Sequence, residues 1–195
     1  MTAIAFIAGS IRHGRRSRLV ADWAAGVSAE ERTGLHCEVV DLADAGLPAA
    51  DGPRLGPYGG EYTQRWSETV SRFDGFVFVT PEAGHAVTGA LGTALDLLYA
   101  EWNDKAAGLI SYGLHGRTGA TETLRATLAG LRVETVQPQV GLSLLTDFQI
   151  ESPAHPGTVT PARLQRLALL AMLDEVIATA RALGPVRAVR MAAAA

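Results

Sequence analysis

A chain of 195 residues that is 48% hydrophobic supplies one compact domain with a full core and falls short of two ordinary ones. Its net charge of −3 includes no basic block that would follow a nucleic-acid backbone or an anionic membrane surface, so neither partner is expected. A single cysteine, Cys37, excludes an intramolecular disulfide and fits a reducing cytoplasm, and no stretch has the length of apolar residues that a membrane span needs.

Thr2 to Ala8 is a short, nearly continuous apolar run that stops at Gly9, as a central parallel strand covered on both faces requires. From Ser17 to about Glu31 the apolar residues Leu19, Val20, Trp23, Ala24 and Val27 recur at helical spacing, with Ser17 as the N-cap. Leu35, Val39 and Val40 around Cys37 predict a second strand, Leu35 to Asp41, with a buried thiol. The alternation continues with a helix around Tyr62 to Arg72, a strand at Gly75 to Thr80 and a helix from Gly89 to about Ala100. A strand at Ala107 to Ser111, a helix at Arg117 to Leu131 and a short strand near Glu134 to Gln137 follow. Thr160 and Pro161 then open a long helix to about Leu183. The domain is read as residues 1–190, with 191–195 as a frayed tail. Ala43 to Gly60 and Pro138 to Thr160 are rich in turn residues and read as long loops. Five strands alternating with five helices imply an α/β fold, a doubly wound parallel sheet with right-handed crossovers and helices on both faces.

Ligands of such a sheet bind beyond the carboxyl ends of the strands. The first loop there, Gly9 to Ser17 (GSIRHGRRS), combines glycines, the hydroxyls of Ser10 and Ser17, the cations Arg12, Arg15 and Arg16, and a following helix N-terminus. Together these make an anion site. A Walker A loop does not fit, because Arg15 replaces the lysine and Ser17 falls one residue late. A dinucleotide fingerprint lacks its second glycine at Ser10 and Ile11, although Asp41 imitates the ribose-binding acid. A monophosphate site is the better match, against the bland reading of a glycine turn with solvated arginines.

The second loop, Thr80 to Gly89, offers Pro81, Glu82, Ala83, Gly84 and His85, with small residues for a flat ligand and two protonatable groups. His85 reads equally as an exposed loop histidine, and Glu82 as a cap for neighbouring backbone. The third loop, Ser111 to Gly119, offers Ser111, Tyr112, Gly113 and Gly116. Tyr112 either packs beside an aromatic ligand or fills core at the strand end. No G-x-S-x-G elbow and no histidines at metal-ligand spacing are present, which leaves hydrolase and metal chemistry without support.

Taken together, GSIRHGRRS, WSETVSRFDGFVFVTPE, GALGTALDLLYAEW and SYGLHGRTGATETLRATL resemble the NADPH-dependent FMN reductase family, which includes quinone, chromate and azo reductases. The resemblance implies a flavodoxin-like fold with strand order 2-1-3-4-5 and FMN as cofactor. It also implies NADPH or NADH as electron donor, and a homodimer or homotetramer with flavin at the subunit interface. Ser10, Arg12 and Ser17 match the family's phosphate loop, with Arg15 a further contact. The chain departs from the family where P-E-Y-N is usual: it has Pro81, Glu82, Ala83 and Gly84, then Thr88 near the usual proline. In the third loop Gly119 stands at the usual arginine position.

Two functions follow. One is an FMN-dependent NAD(P)H oxidoreductase that passes electrons from reduced flavin to a quinone, a flavin or a similar small acceptor; its hydride step requires no side-chain acid or base, so no catalytic residue is assigned. The other is a flavodoxin-like pathway protein that has lost tight flavin binding and uses the altered pocket for another ligand. The apolar set Leu91, Leu95, Leu98, Tyr99 and Trp102 exceeds what one buried helix face needs and predicts a subunit contact.

Overall fold

The apolar run Thr2–Ala8 forms β1 near the middle of a five-stranded sheet in the computed structural model, which describes residues 1–48, 60–82, 87–114, 119–152 and 155–194. Strands β2 (Leu35–Asp41), β3 (Gly75–Pro81), β4 (Lys105–Gly113) and β5 (Val133–Ser143) complete it. All pair in parallel in the order β2-β1-β3-β4-β5. This is the expected doubly wound sheet, and its order is the flavodoxin-like one.

Side chains alternate between the faces with the strand period of two. Ile4, Phe6 and Ala8 join one core cluster with Val20, Ala24 and Val27 of α1 (Ser17–Glu31) and Leu169, Met172, Leu173 and Val176 of α5 (Arg163–Ala194). Ala5 and Ile7 join the other with Trp66 and Val70 of α2 (Glu61–Ser71), Leu91 and Leu95 of α3 (Gly89–Asp96), and Leu124 and Leu128 of α4 (Gly119–Gly130). Helices on both faces explain why β1, β3 and β4 read as unbroken apolar runs. Edge strand β2 is covered less completely. Cys37 is therefore half-buried rather than buried, and burial still pushes its thiol up to about 11.

Several elements differ from the sequence expectation. Helix α3 ends at Asp96 rather than Ala100, and the turns that follow carry Trp102 inward. Leu91, Leu95, Leu98 and Trp102 are all buried in the chain's own core, and of the set expected at a subunit contact only Tyr99 is largely exposed. That surface therefore supplies no motive for assembly. Strand β5 is 11 residues long because it does not end at Pro138. Its register against β4 shifts between Ala107 and Leu109, a bulge at the sheet edge, where a residue without an N–H is tolerated. The expected loop beyond it contains an antiparallel hairpin, β6 (Phe148–Gln149) with β7 (Thr158–Val159).

Helix α5 passes Leu183 and the internal Pro185 and runs to Ala194, taking in residues expected to fray. Proline removes one helical hydrogen bond, but tertiary ion pairs hold the extension. Arg187 donates to Asp74 at 2.6 Å and Arg190 pairs with Asp104 at 2.9 Å, at the amino end of the sheet. No helix among the described residues is long and apolar enough to cross a membrane.

Candidate functional site

Strand β1 delivers the chain to Gly9 at the carboxyl end of the sheet. The Gly9 N–H donates to the Val79 carbonyl of β3 at 2.9 Å, and a Cβ at Gly9 would stand 2.8 Å from that oxygen. Only glycine allows so close a crossing. The loop then turns back on itself: Arg15 N–H donates to the Arg12 carbonyl at 3.1 Å, and Gly14 is left-handed at φ 68°. The Ser17 hydroxyl accepts from the Ser10 N–H at 3.2 Å and faces the Ser10 carbonyl at 3.3 Å, closing the loop onto α1. Ser17, expected as the N-cap, is thus the first helical residue. Arg16 takes the cap position without a side-chain cap, because the serine hydroxyl bonds across the loop rather than down the helix.

The three arginines of the loop are deployed differently. Arg15 points to the end of β2, where its Nη2 and Nε donate to the buried Asp41 carboxylate at 2.7 and 3.3 Å. The other Asp41 oxygen accepts the Ala43 N–H at 3.0 Å. Asp41, which in sequence imitates a ribose-binding acid, therefore anchors the loop, and Arg15 is committed to it. Arg16 donates through Nη2 to the His155 carbonyl at 3.2 Å, while its Nε is buried without an acceptor among the described residues. Arg12 is exposed. Among the described residues neither Arg12 nor Arg16 has a carboxylate partner. Both stand beside the α1 N-terminus, whose first N–H groups lack intrahelical acceptors and carry the positive end of the helix dipole.

Tyr112 is core at the strand end rather than a ring laid open to a ligand. It is buried and packs on Phe148 with ring centroids 6.1 Å apart. Burial pushes its phenol up from the ordinary value, and the Ser17 hydroxyl and the N–H groups of Arg16 and Ser17 partly offset this. Its hydroxyl thus reaches the underside of the loop. Pro81 pairs with Tyr112 in register, and the Glu82 N–H donates to the Tyr112 carbonyl at 2.8 Å. The Glu82 carboxylate lies against Gly113, where a Cβ would stand 2.6 Å from Oε2. Ser111 is fully buried in β4, opposite Thr80. Ala83, Gly84, His85 and Gly116 lie outside the described residues.

Thr88 was noted in the sequence only as a departure. Its hydroxyl caps α3 by accepting the Leu91 N–H and also donates to the Gly9 carbonyl, so it joins the Gly9–Ser17 loop to the β3–α3 connection. A threonine directly before a helical run is the signal that marks such a cap.

The loop fits the phosphate end of FMN. It combines a glycine at closest approach, a helix N-terminus and two guanidinium groups without carboxylate partners among the described residues, and it lies at the β1/β3 switch point where this topology accepts ligands.

Residues 2–147 match the family model for NADPH-dependent FMN reductase. An NAD(P)H-dependent FMN reductase of Schizosaccharomyces pombe is 33% identical over 159 residues, which are 79% of each chain. A quinone reductase of Pseudomonas putida is 29% identical over 142 residues, covering 69% of this chain and 74% of that one. Among solved structures, an oxidoreductase from Corynebacterium diphtheriae superposes with a TM-score of 0.69 at 16% identity, over 92% of this chain and 96% of that one. Sequence match, sheet order and loop geometry agree, and the chain belongs to the NADPH-dependent FMN reductase family.

Proposed function

We infer that the protein is an FMN-dependent NAD(P)H oxidoreductase that reduces a quinone, a flavin or a similar small acceptor, with the cofactor's phosphate held by the loop Gly9 to Ser17. The observation that carries this reading is the pair Arg12 and Arg16, which have no carboxylate partner among the described residues, at the N-terminus of α1 beyond the carboxyl end of the sheet. The family assignment supports it, as do the activities named for the two relatives. Bound FMN supplies the electron transfer between the nicotinamide and the acceptor.

The protein's own residues supply position and charge. Arg12 would pair with the phosphate, Ser10 and the first N–H groups of α1 would complete its shell, and Ser17 holds the loop closed. The Arg15–Asp41 pair ties the loop to β2, and Thr88 ties it to α3. Glu82, backed by Gly113, places a carboxylate at the tips of β3 and β4, where it would face bound FMN. A homodimer or homotetramer is part of this proposal and rests on the family resemblance alone. A cytoplasmic location rests on the single cysteine.

The visible absorption spectrum with added FMN, together with a flavin fluorescence titration, tests the reading. Arg12→Ala is expected to weaken FMN binding about tenfold to a hundredfold, the range for a hydrogen bond to a charged group. Arg72→Ala, at the opposite end of the sheet where Arg72 pairs with Glu38, should leave binding unchanged. Equal effects of the two substitutions would remove the phosphate assignment. A protein without flavin affinity would favour the second function, for which the Ala83–Gly84 departure speaks.

A further inference from the structure

The loop that would hold the FMN phosphate also borders a second cleft. His13, Gly14 and Arg15 of that loop, with Arg18 and Leu19 from the start of α1, form one wall, and His155 and Pro156 form the other. Its volume of about 520 Å³ falls within the ~300–1,000 Å³ of small-ligand pockets and exceeds what a lone phosphate fills. Among the described residues no acidic side chain lines it.

The cleft is continuous with the proposed phosphate site. Arg12 and His13 are consecutive, and the turn in which the Arg15 N–H donates to the Arg12 carbonyl at 3.1 Å, with Gly14 left-handed at φ 68°, sets Arg12 and the cleft residues on one short arc. Ser17, whose hydroxyl closes the loop, directly precedes Arg18. A ligand anchored by a phosphate between Ser10, Arg12 and the α1 N-terminus would therefore enter the cleft with whatever that phosphate carries beyond it.

The far wall is held in place independently. Arg16 fastens the His155 carbonyl to the start of α1. The Thr160 N–H donates to the Asp147 carbonyl at 2.8 Å, and the Asp147 carboxylate accepts the Ser143 N–H at 2.8 Å, which pins the ends of the β6–β7 hairpin. Gly157 is left-handed at φ 77°, and a Cβ there would overlap the Gln149 carbonyl oxygen. The backbone beside His155 and Pro156 thus follows a path that only glycine permits at position 157.

The cations of the cleft keep donors for an anion. Arg18 binds Asp22 through Nε at 2.9 and 3.0 Å, and both side chains are exposed, 44% and 48%. An exposed pair of this kind is weak, about 0.3–0.5 kcal/mol, and the Arg18 Nη groups have no protein acceptor among the described residues. Arg15 uses Nε and Nη2 on Asp41 and keeps Nη1 unbonded among those residues. Guanidinium groups beside Leu19, Pro156 and two imidazoles suit a phosphate followed by a flat heteroaromatic base.

Resting on the flavin-binding reading above, we propose that this cleft takes the adenylate half of FAD, so that the protein binds FAD as well as FMN at one flavin site and holds FAD more tightly. FMN ends at its phosphate. FAD continues from it with a second phosphate, for Arg18 and the Arg15 Nη1, and an adenosine, for Leu19, Pro156, His13 and His155. Charge-assisted hydrogen bonds to that second phosphate set the difference between the two flavins.

Calorimetric titrations of FAD and FMN into the flavin-free protein, each repeated with the other flavin present, test the proposal on wild type, Arg18→Gln and His155→Ala. Wild type should bind one flavin per chain, FAD should displace FMN, and FAD should bind at least about tenfold more tightly. Each variant should lose about fivefold to tenfold in FAD affinity and keep its affinity for FMN, which also reports that the loop is intact. The control Arg72→Ala should change neither. FAD binding no more tightly than FMN, the two flavins binding without competition, an unchanged FAD affinity in both variants, or an equal loss for both flavins would overturn the assignment. Binding of FMN without an advantage for FAD sinks this proposal alone, whereas a wild type that binds neither flavin removes the oxidoreductase reading and this proposal with it.

Discussion

Trp102→Ala is expected to lower the unfolding free energy by about 3–5 kcal/mol, the range for truncating a fully buried large aromatic residue. Trp102 has no exposed surface and packs edge-on to Phe76, with ring centroids 4.9 Å apart; Trp66 and Phe78 each lie 6.1 Å away. Its Nε1 has no acceptor among the described residues, so Trp102→Phe leaves no polar partner stranded and should cost much less. Urea unfolding of the three proteins measures this. The apolar pattern read as a subunit contact predicts another outcome, an unchanged urea midpoint and an assembly that dissociates on dilution. Light scattering alongside the urea curves separates the two, and a mass shift without loss of stability would refute the core assignment.

A second large effect should appear as a pH dependence. Lys105, the chain's only lysine, is buried at the start of β4, with Nζ donating to the Val70 carbonyl at 2.8 Å and lying 5.4 Å from the centre of the Phe76 ring. Burial, helped by Arg187, pulls its pKa from 10.5 down to about 8, against the opposing pull of Asp74 and Glu101. Between those values the unfolded chain binds the proton and the folded chain does not, so stability rises with pH across the window and the full penalty applies below it. Relative to Lys105→Met, the wild type should gain about 2 kcal/mol between pH 8 and pH 10. The Cys37 thiol, pushed up by burial, acts in the opposite sense above its ordinary value of 9.0 and cancels in the comparison because both proteins carry it. Parallel stability curves for the two proteins would show that the ammonium is not desolvated.

The reach of the sequence is clearest at Gly9 to Ser17. Its glycines, hydroxyls and cations mark a candidate anion site, because the loop follows a strand and opens a helix, and those features are local. Which arginine does what was not local. Asp41, 26 positions from Arg15, becomes its neighbour only when β1 and β2 pair in parallel. Arg16 meets the His155 carbonyl across 139 positions. Arg12 is left over with no carboxylate partner among the described residues.

The fold class, the parallel sheet, the order of elements and the place of the glycine loop after β1 follow from the chain alone, because strand and helix periods and a glycine after an apolar run are short-range signals. Tertiary structure decided the rest. Trp102 turned inward because the end of α3 at Asp96 let the chain fold over Phe76, which no helical spacing encodes. Strand β5 continued past Pro138 because an edge position tolerates a missing donor. The β6–β7 hairpin, and the extension of α5 past Pro185, exist through contacts that no local period encodes, such as Thr160 with Asp147 and Arg187 with Asp74.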